Sequence, residues 1–218
     1  YLETDGPGSR FNRYRTGSLS DPAGYDVNWN KSFEMPVDKP RGGVLLLHGL
    51  TDSPYSMRAL AEKLHEQGFW IVALRLPGHG TIPAELTRIT WQDWAAATRI
   101  GVRHLRKQIG RETPLFMLGY STGAALAVEY SLAGLDDKEM PMPAGLILLS
   151  PAIGLPPVAA LAKTQLFLSE LPWLEKMAWA SVMMEYDPFK YNSFPVNAGE
   201  QVYLLTQRIQ SMIKTNEK

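Results

Sequence analysis

Four short apolar segments, separated by stretches of helical length, constrain the fold of this chain more than any other feature. Residues 44–47, 69–76, 114–118 and 144–150 are continuous apolar runs rather than alternating ones. Such runs are typical of strands that are buried on both faces of a parallel sheet. Residues 25–36 alternate between apolar and polar side chains and predict one further strand.

Helices are predicted between these strands and at the end of the chain, at 53–68, 90–110, 121–133 and 200–218. The second helix begins at Thr90, with Asp93 three residues later, which is a variant of the capping box. Strands that alternate with helices of this length predict right-handed crossovers. The expected fold class is therefore α/β, with a mostly parallel sheet and helices on both faces.

The sequence divides into four predicted parts. Residues 1–24 form an irregular lead-in and residues 25–154 the α/β core. Residues 155–198 form a helical cap or lid region, and residues 199–218 a helix that leads on from it. Large apolar side chains and helical character are concentrated at 155–185, where no strand is predicted.

Composition excludes several classes of function. Lys+Arg and Asp+Glu are balanced at 22 each, so no net field favours nucleic acid. The chain has no cysteine and no cluster of histidines and carboxylates, so neither a metal nor another cofactor is predicted. No apolar run reaches the roughly 18 residues of a membrane span. The expected partner is a small molecule, while the compartment and the oligomeric state stay open.

The segment GYSTG, residues 119–123, carries the main catalytic signal. It places Ser121 at a sharp turn between a predicted strand and a predicted helix. Such a turn exposes a nucleophilic serine in a strained backbone conformation and requires very small residues on either side. Gly119 and Gly123 meet that requirement. The alternative is a tight turn with no catalytic role.

Nucleophilic attack on a carbonyl creates an oxyanion, which needs hydrogen-bond donors that are already in place. One candidate is the backbone N–H of Thr122, at the start of the predicted helix, where the helix dipole also favours negative charge. The second is the backbone N–H of Leu50 in the loop HGLTDSP, where Gly49 allows the turn.

Four segments together resemble a known family: GGVLLLHGLTDSPYSMRALAEKL, VALRLPGHG, LGYSTGAALAVEY and LILLSPAIG. In this order and spacing, over residues 43–154, they are similar to the serine α/β-hydrolases of the monoacylglycerol lipase, carboxylesterase and lysophospholipase branch. The resemblance implies an α/β-hydrolase fold with a helical cap insertion and a Ser121 nucleophile. It also implies oxyanion donors at Leu50 and Thr122, and hydrolysis of an acylglycerol or other apolar acyl ester. The apolar cap makes Phe167 and Met183 candidates for an acyl pocket.

A serine nucleophile needs a base, and none of the four histidines fits that role. In this fold the triad runs in the order Ser, Asp or Glu, then His. We expect His48 to hold the oxyanion loop by hydrogen bonds and His79 to serve a structural loop, while His65 and His104 face solvent. The chain then corresponds to the front part of a longer hydrolase, whose acid and histidine lie beyond Lys218 on two further βα units of roughly 30 residues each.

Several alternatives stay open at this point. Asp136, Asp137 and Asp187 are the nearest candidates for the acid, although none follows a suitable strand. A hydrolase fold without the acid and histidine could be a non-catalytic binding module. Thioesterases, peptidases and carbon–carbon bond hydrolases use the same triad. Family members with an aspartate nucleophile are excluded, because position 121 is serine.

Overall fold

A five-stranded sheet forms the centre of the fold in the computed structural model, which describes Tyr14, residues 17–154, Ser169 and residues 175–216. Its strands are β1 (Phe33–Met35), β2 (Gly42–Leu47), β3 (Phe69–Leu74), β4 (Leu115–Tyr120) and β5 (Gly145–Leu149). Their order across the sheet is β1-β3-β2-β4-β5. β1 runs antiparallel to β3 and the other neighbours are parallel. The sheet is therefore mostly parallel, as the sequence predicted.

The α-helices whose bounds lie within the described residues are α1 (Arg58–Glu66), α2 (Trp91–Ile109), α3 (Thr122–Asp136) and α4 (Val196–Asn216), of which α4 packs against α3. Alternate residues of β2 point to opposite faces. Val44 and Leu46 belong to the core cluster that includes Ala61 of α1. Leu45 and Leu47 belong to the larger cluster with α2, α3 and α4. Burial on both faces explains why the strand is apolar throughout.

The starts of the helices match the sequence prediction only in part. The capping box at Thr90 and Asp93 is present, and α2 begins at the next residue after Thr90. The stretch 53–68 is not one helix, because a 3-10 turn occupies Pro54–Met57 before α1 begins. Ser53 makes no capping hydrogen bond through its side chain, so the first turn lacks the bond that a serine cap supplies.

The region predicted to be helical without strands contains a short hairpin. β6 (Trp179–Ser181) pairs antiparallel with β7 (Phe194–Pro195). The prediction of no strand at 155–185 is therefore wrong at this point, because apolar spacing in so short a run does not distinguish a strand from a helix. Helix α4 begins at Val196, ahead of the predicted boundary at residue 199.

Residues 182–193, here called the strap, connect β6 to β7 and lie against the described part of the lead-in. Ser20 Oγ donates to the carbonyl of Glu185 at 2.9 Å, and Asn30 Nδ2 donates to that of Pro188 at 2.6 Å. The Glu185 carboxylate is buried and accepts the backbone N–H groups of Asn192 and Ser193. The strap is thus fixed at both ends by hydrogen bonds.

β5 forms one end of the sheet. Ile147 and Leu149 on this strand are 43% and 38% exposed. Within the described ranges no strand pairs with its outer edge. None of the described helices has both the length and the apolar character that a bilayer span requires.

Candidate active site

Ser121 lies at the turn between β4 and α3 in a backbone conformation that is rare for a residue with a side chain. Its φ is 54° and its ψ is −113°. The turn is held by hydrogen bonds from Ser121 N to the carbonyl of Leu149 at 2.9 Å, and from Ala152 N to the Ser121 carbonyl at 3.1 Å. Strain of this kind persists only where the surroundings enforce it, and it is concentrated at functional sites.

The glycines on either side of Ser121 are required by close backbone contacts. A Cβ atom at Gly119 would overlap the backbone of Gly123 and Ala124. A Cβ atom at Gly123 would overlap the carbonyl oxygen of Leu47 and would lie 2.7 Å from that of His48. The start of α3 therefore lies so close to the end of β4, at Gly119, and to the end of β2, at Gly123, that only glycine fits at either position.

The loop after β2 lies beside this turn. A Cβ atom at Gly49 would lie 3.0 Å from the ring of Tyr120, the residue before Ser121, and 2.8 Å from Asp52 Oδ2. Leu50 follows on this loop, and Thr122 is the first residue of α3. Among the described residues, neither the Leu50 N–H nor the Thr122 N–H donates a hydrogen bond to another group of the protein. Both predicted oxyanion donors thus lie next to the Ser121 turn.

His48 holds this loop, as the sequence predicted. Its Nδ1 donates to the carbonyl of Gly49 at 2.8 Å, and its Nε2 accepts from the backbone N–H of Leu76 at 3.1 Å. These two bonds define a neutral ring, and complete burial lowers its pKa well below the ordinary value. A trans peptide directs its C=O and N–H to opposite sides. By holding Gly49 O, His48 therefore orients the Leu50 N–H.

His79 is buried and joins two loops. Its Nε2 lies 2.7 Å from the carbonyl oxygen of Leu50, and its Nδ1 lies 3.0 Å from that of Pro77. Burial lowers its pKa. A neutral imidazole carries one N–H, so only one of these carbonyls accepts a hydrogen bond at a time. The His79 ring therefore links the loop after β2 to the loop after β3, in agreement with the structural role expected for it.

The remaining histidines lie on helices away from Ser121. His104 is exposed on α2, with Nε2 3.0 Å from Glu34 Oε2. His65 on α1 does not simply face solvent, because it is half-buried and its Nδ1 has no partner among the described residues. In the described part of the chain, none of the four histidines hydrogen-bonds to Ser121.

The candidate acids are engaged elsewhere. Asp187 Oδ1 accepts the backbone N–H groups of Phe189 and Lys190 within the strap. Asp136 and Asp137 lie at the C-terminal end of α3, while Ser121 lies at its N-terminal end. Among the described residues, no hydrogen bond joins any of these three carboxylates to Ser121.

Asp52 is the carboxylate nearest to the oxyanion loop. Its side chain is 13% exposed and its Oδ1 lies 3.9 Å from Lys190 Nζ. Burial raises its pKa, and Lys190 partly opposes this effect. No group of three or more histidine or carboxylate side chains within the described residues is arranged to hold a metal ion.

The two predicted acyl-pocket residues are placed differently. Phe167 lies outside the described residues. Met183 lies on the strap with its side chain 49% exposed, and its backbone N–H donates to Ser193 Oγ at 3.0 Å.

Tyr191 is a residue of this site that the sequence did not reveal. It is 3% exposed, and its backbone N–H donates to the carbonyl of Thr51 in the oxyanion loop at 2.8 Å. Its hydroxyl donates to the carbonyl of Gly78 and accepts from the N–H of Thr81, both at 2.9 Å. These partners lie more than 100 residues away along the chain, and no local pattern signals such contacts.

Curated proteins that match part of the chain include a lipase and a carboxylesterase. The thermostable monoacylglycerol lipase of Bacillus sp. (strain H-257) is 34% identical over 118 residues, which is 54% of this chain and 44% of that protein. A carboxylesterase of Bacillus subtilis (strain 168) is 33% identical over 86 residues, which is 39% of this chain and 34% of that protein. The matched stretch thus spans less than half the length of each relative.

A structural neighbour and a family match extend further along the chain. A structure from work on two metagenome-derived lipolytic enzymes, LipS and LipT, aligns with a TM-score of 0.66 and 29% identity, over 84% of this chain and 71% of that one. Residues 38–211 match the family described as serine aminopeptidase, S33. This match covers most of the sequence, and the chain therefore belongs to that family of α/β-hydrolases.

Proposed function

We propose that this protein is a serine hydrolase that cleaves carboxylic esters, with Ser121 as the nucleophile. The observation that carries the proposal is the backbone of Ser121, with φ of 54° at a strand-to-helix turn where Gly119 and Gly123 leave no room for side chains. A turn of this kind projects the serine hydroxyl from the end of the sheet towards a substrate.

The proposed reaction proceeds in two halves. Ser121 Oγ forms a bond to the carbonyl carbon while its proton passes to a base, and the resulting oxyanion accepts hydrogen bonds from Leu50 N–H and Thr122 N–H. Collapse of this intermediate breaks the bond to the alcohol, which leaves with a proton and gives an acyl-enzyme. Water then attacks the acyl group and releases the acid.

The base and the acid of the triad are part of the proposal but are not assigned to residues of this chain. His48 and His79 are buried and hold loops, and His65 and His104 lie on other helices. The proposal therefore takes the general base from outside these 218 residues.

We propose an apolar acyl ester as the substrate, with an acylglycerol as the leading example. Support comes from relatives named as a monoacylglycerol lipase and a carboxylesterase, and from a structural neighbour described as lipolytic. The acyl-pocket roles of Phe167 and Met183 belong to this part of the proposal. They rest on the apolar composition of residues 155–185.

A peptidase is the second candidate, because the description of the matching family names an aminopeptidase. The chemistry of the serine is the same for an ester and an amide. The two candidates differ in the leaving group, so parallel assays with p-nitrophenyl esters and amino-acid p-nitroanilides separate them.

The test uses the protein at the full length that its gene encodes. We expect hydrolysis of p-nitrophenyl butyrate, and we expect Ser121→Ala to lower kcat by about 10⁶-fold, the scale for loss of a triad serine. Ser211→Ala, at an exposed position on α4, is the matched control and keeps normal activity. Preferential cleavage of p-nitroanilides would favour the peptidase, and equal rates for Ser121→Ala and wild type would refute the nucleophile.

A further inference from the structure

We propose that Tyr191 is a positioning residue for the oxyanion loop, which makes the geometry of that loop depend on the strap. This inference rests on the proposed function, because it concerns how the Leu50 N–H is held. The evidence is a set of contacts that converge on residues 49–51 from three separate parts of the chain.

Each carbonyl of the oxyanion loop is held from a different direction. The carbonyl of Gly49 accepts from His48 Nδ1 at 2.8 Å, as described above. The carbonyl of Leu50 lies 2.7 Å from His79 Nε2. The carbonyl of Thr51 accepts from the backbone N–H of Tyr191 at 2.8 Å. The peptide planes after Gly49 and Thr51 are fixed by N–H donors, and the plane between them is fixed when His79 Nε2 carries the ring proton. The Leu50 N–H lies in the first of these planes.

Tyr191 also fixes the loop that carries His79. Its ring stacks on the imidazole, with the ring centroids 6.3 Å apart and the planes inclined by 14°. Its hydroxyl bridges Gly78 O and Thr81 N, one residue before and two residues after His79. The tyrosine therefore holds one loop carbonyl directly and supports the imidazole that lies against the next.

The strap keeps its place by bonds that do not involve the Tyr191 hydroxyl. Glu185 accepts from Asn192 N and Ser193 N, and Asn30 Nδ2 donates to Pro188 O. Tyr191→Phe should therefore remove the bridge at 78–81 while the backbone contact to Thr51 and the strap itself persist. The Gly78 carbonyl and the Thr81 N–H, both part-buried, then lose the hydrogen bonds that the hydroxyl supplies, which loosens this loop first.

An oxyanion donor acts chiefly in the transition state, so a misplaced donor lowers kcat more than it changes KM. Loss of a whole donor costs about 10²–10³-fold in kcat. Since Tyr191→Phe displaces the donor without removing it, we expect a decrease of about tenfold in kcat with KM changed less than twofold. The affinity for a trifluoromethyl ketone, which forms an oxyanion adduct, should fall by a similar factor of about ten.

The experiment compares Tyr191→Phe with Tyr186→Phe in the full-length protein. Tyr186 belongs to the same strap but is 59% exposed, so its variant should match wild type in kcat and in ketone affinity. Hydrogen exchange supplies a readout that does not require turnover. In Tyr191→Phe the amides of residues 48–52 and of Thr81 should exchange faster than in wild type, while those of β2 and β4 stay protected.

The outcomes separate this inference from the proposed function. Equal kcat, ketone affinity and exchange in Tyr191→Phe and Tyr186→Phe would overturn the positioning role. A fall in both kcat and stability with ketone affinity unchanged would also overturn it, because the role would then be purely structural. If wild type shows no ester or amide hydrolysis, the proposed function fails, and the exchange data still decide whether Tyr191 orders the loop.

Discussion

Replacing Gly123 with alanine places a methyl group between the start of α3 and the backbone at the end of β2. The added Cβ would lie 2.5 Å from the carbonyl carbon of Leu47, whereas ordinary contact begins near 3.4 Å. The start of α3 must therefore shift by about 0.9 Å relative to β2, from the difference of these two distances. Overpacking of a rigid site costs about 1–3 kcal/mol, and we expect the upper end because the obstacle is backbone.

The expected result has two parts. For a domain of this size 1 kcal/mol lowers the Tm by about 2–4 °C, so 3 kcal/mol corresponds to about 6–12 °C. A displacement of about 1 Å at a reacting group costs about 10²-fold in rate. Gly123→Ala should therefore be less stable and, in the full-length protein, lower in kcat by about that factor. Thermal unfolding followed by circular dichroism, together with ester hydrolysis, measures both effects.

Gly134→Ala is the matched control on the same helix. Its Cβ would overlap only the sulfur of Met142, the far end of a flexible side chain that is 41% exposed and can rotate away. Alanine is favoured over glycine in a helix by about 1 kcal/mol. We expect an unchanged Tm or an increase of up to about 4 °C. A Gly123→Ala protein as stable and as active as Gly134→Ala would refute the steric argument for this turn.

Three further predictions follow from the same site. Gly49→Val should lower kcat by roughly 10²-fold, the cost of losing one oxyanion donor, because the side chain would collide with Asp52 and the Tyr120 ring. Leu50→Ala keeps its N–H, and its kcat should stay within a few-fold of wild type. Normal kcat in Gly49→Val would contradict the loop assignment. Burial depresses the pKa of both His48 and His79 in the folded protein. Below the ordinary histidine pKa of about 6.5, the unfolded chain therefore binds more protons than the folded protein. The contribution of each histidine to the free energy of unfolding, measured in urea, should be constant above that pH and should fall below it by up to about 1.4 kcal/mol per pH unit. His79→Gln should make this decline shallower between pH 7.5 and 5.5, on the order of one histidine's share. An equal slope in His79→Gln and wild type would count against a buried neutral ring at this position. The proposed pocket should give a preference for medium-chain over acetate esters of about 0.8 kcal/mol per CH₂. Met183→Lys should erase this preference, while the neighbouring Met184→Lys should keep it. An unchanged preference in Met183→Lys would show that Met183 does not line the pocket.

The features that the sequence predicted correctly depend on local pattern and burial. The strand β2 was recognisable because both of its faces are buried, so its apolar run is unbroken. The strand β5 is apolar throughout as well, although Ile147 and Leu149 are exposed. The turn at Ser121 was recognisable because two glycines flank one serine at a strand–helix junction, a combination with a definite steric meaning. The capping box at Thr90 is equally local, since both of its bonds lie within four residues.

The features that the sequence did not reveal depend on partners far away along the chain. The pairing of β6 with β7 and the bridge made by Tyr191 exist only because residues 179–195 fold back onto the loops after β2 and β3. The partial burial of His65 likewise depends on tertiary packing rather than on helical periodicity. Such contacts leave no period or motif in a single sequence.

The central claim is that Ser121 is the nucleophile, and covalent labelling tests it most directly. The full-length protein is treated with a fluorophosphonate, digested, and analysed by tandem mass spectrometry, with Ser121→Ala treated in parallel. The account predicts a single phosphonate adduct, located on Ser121, that is absent from the variant. An adduct on another residue, or labelling that persists in Ser121→Ala, would contradict it.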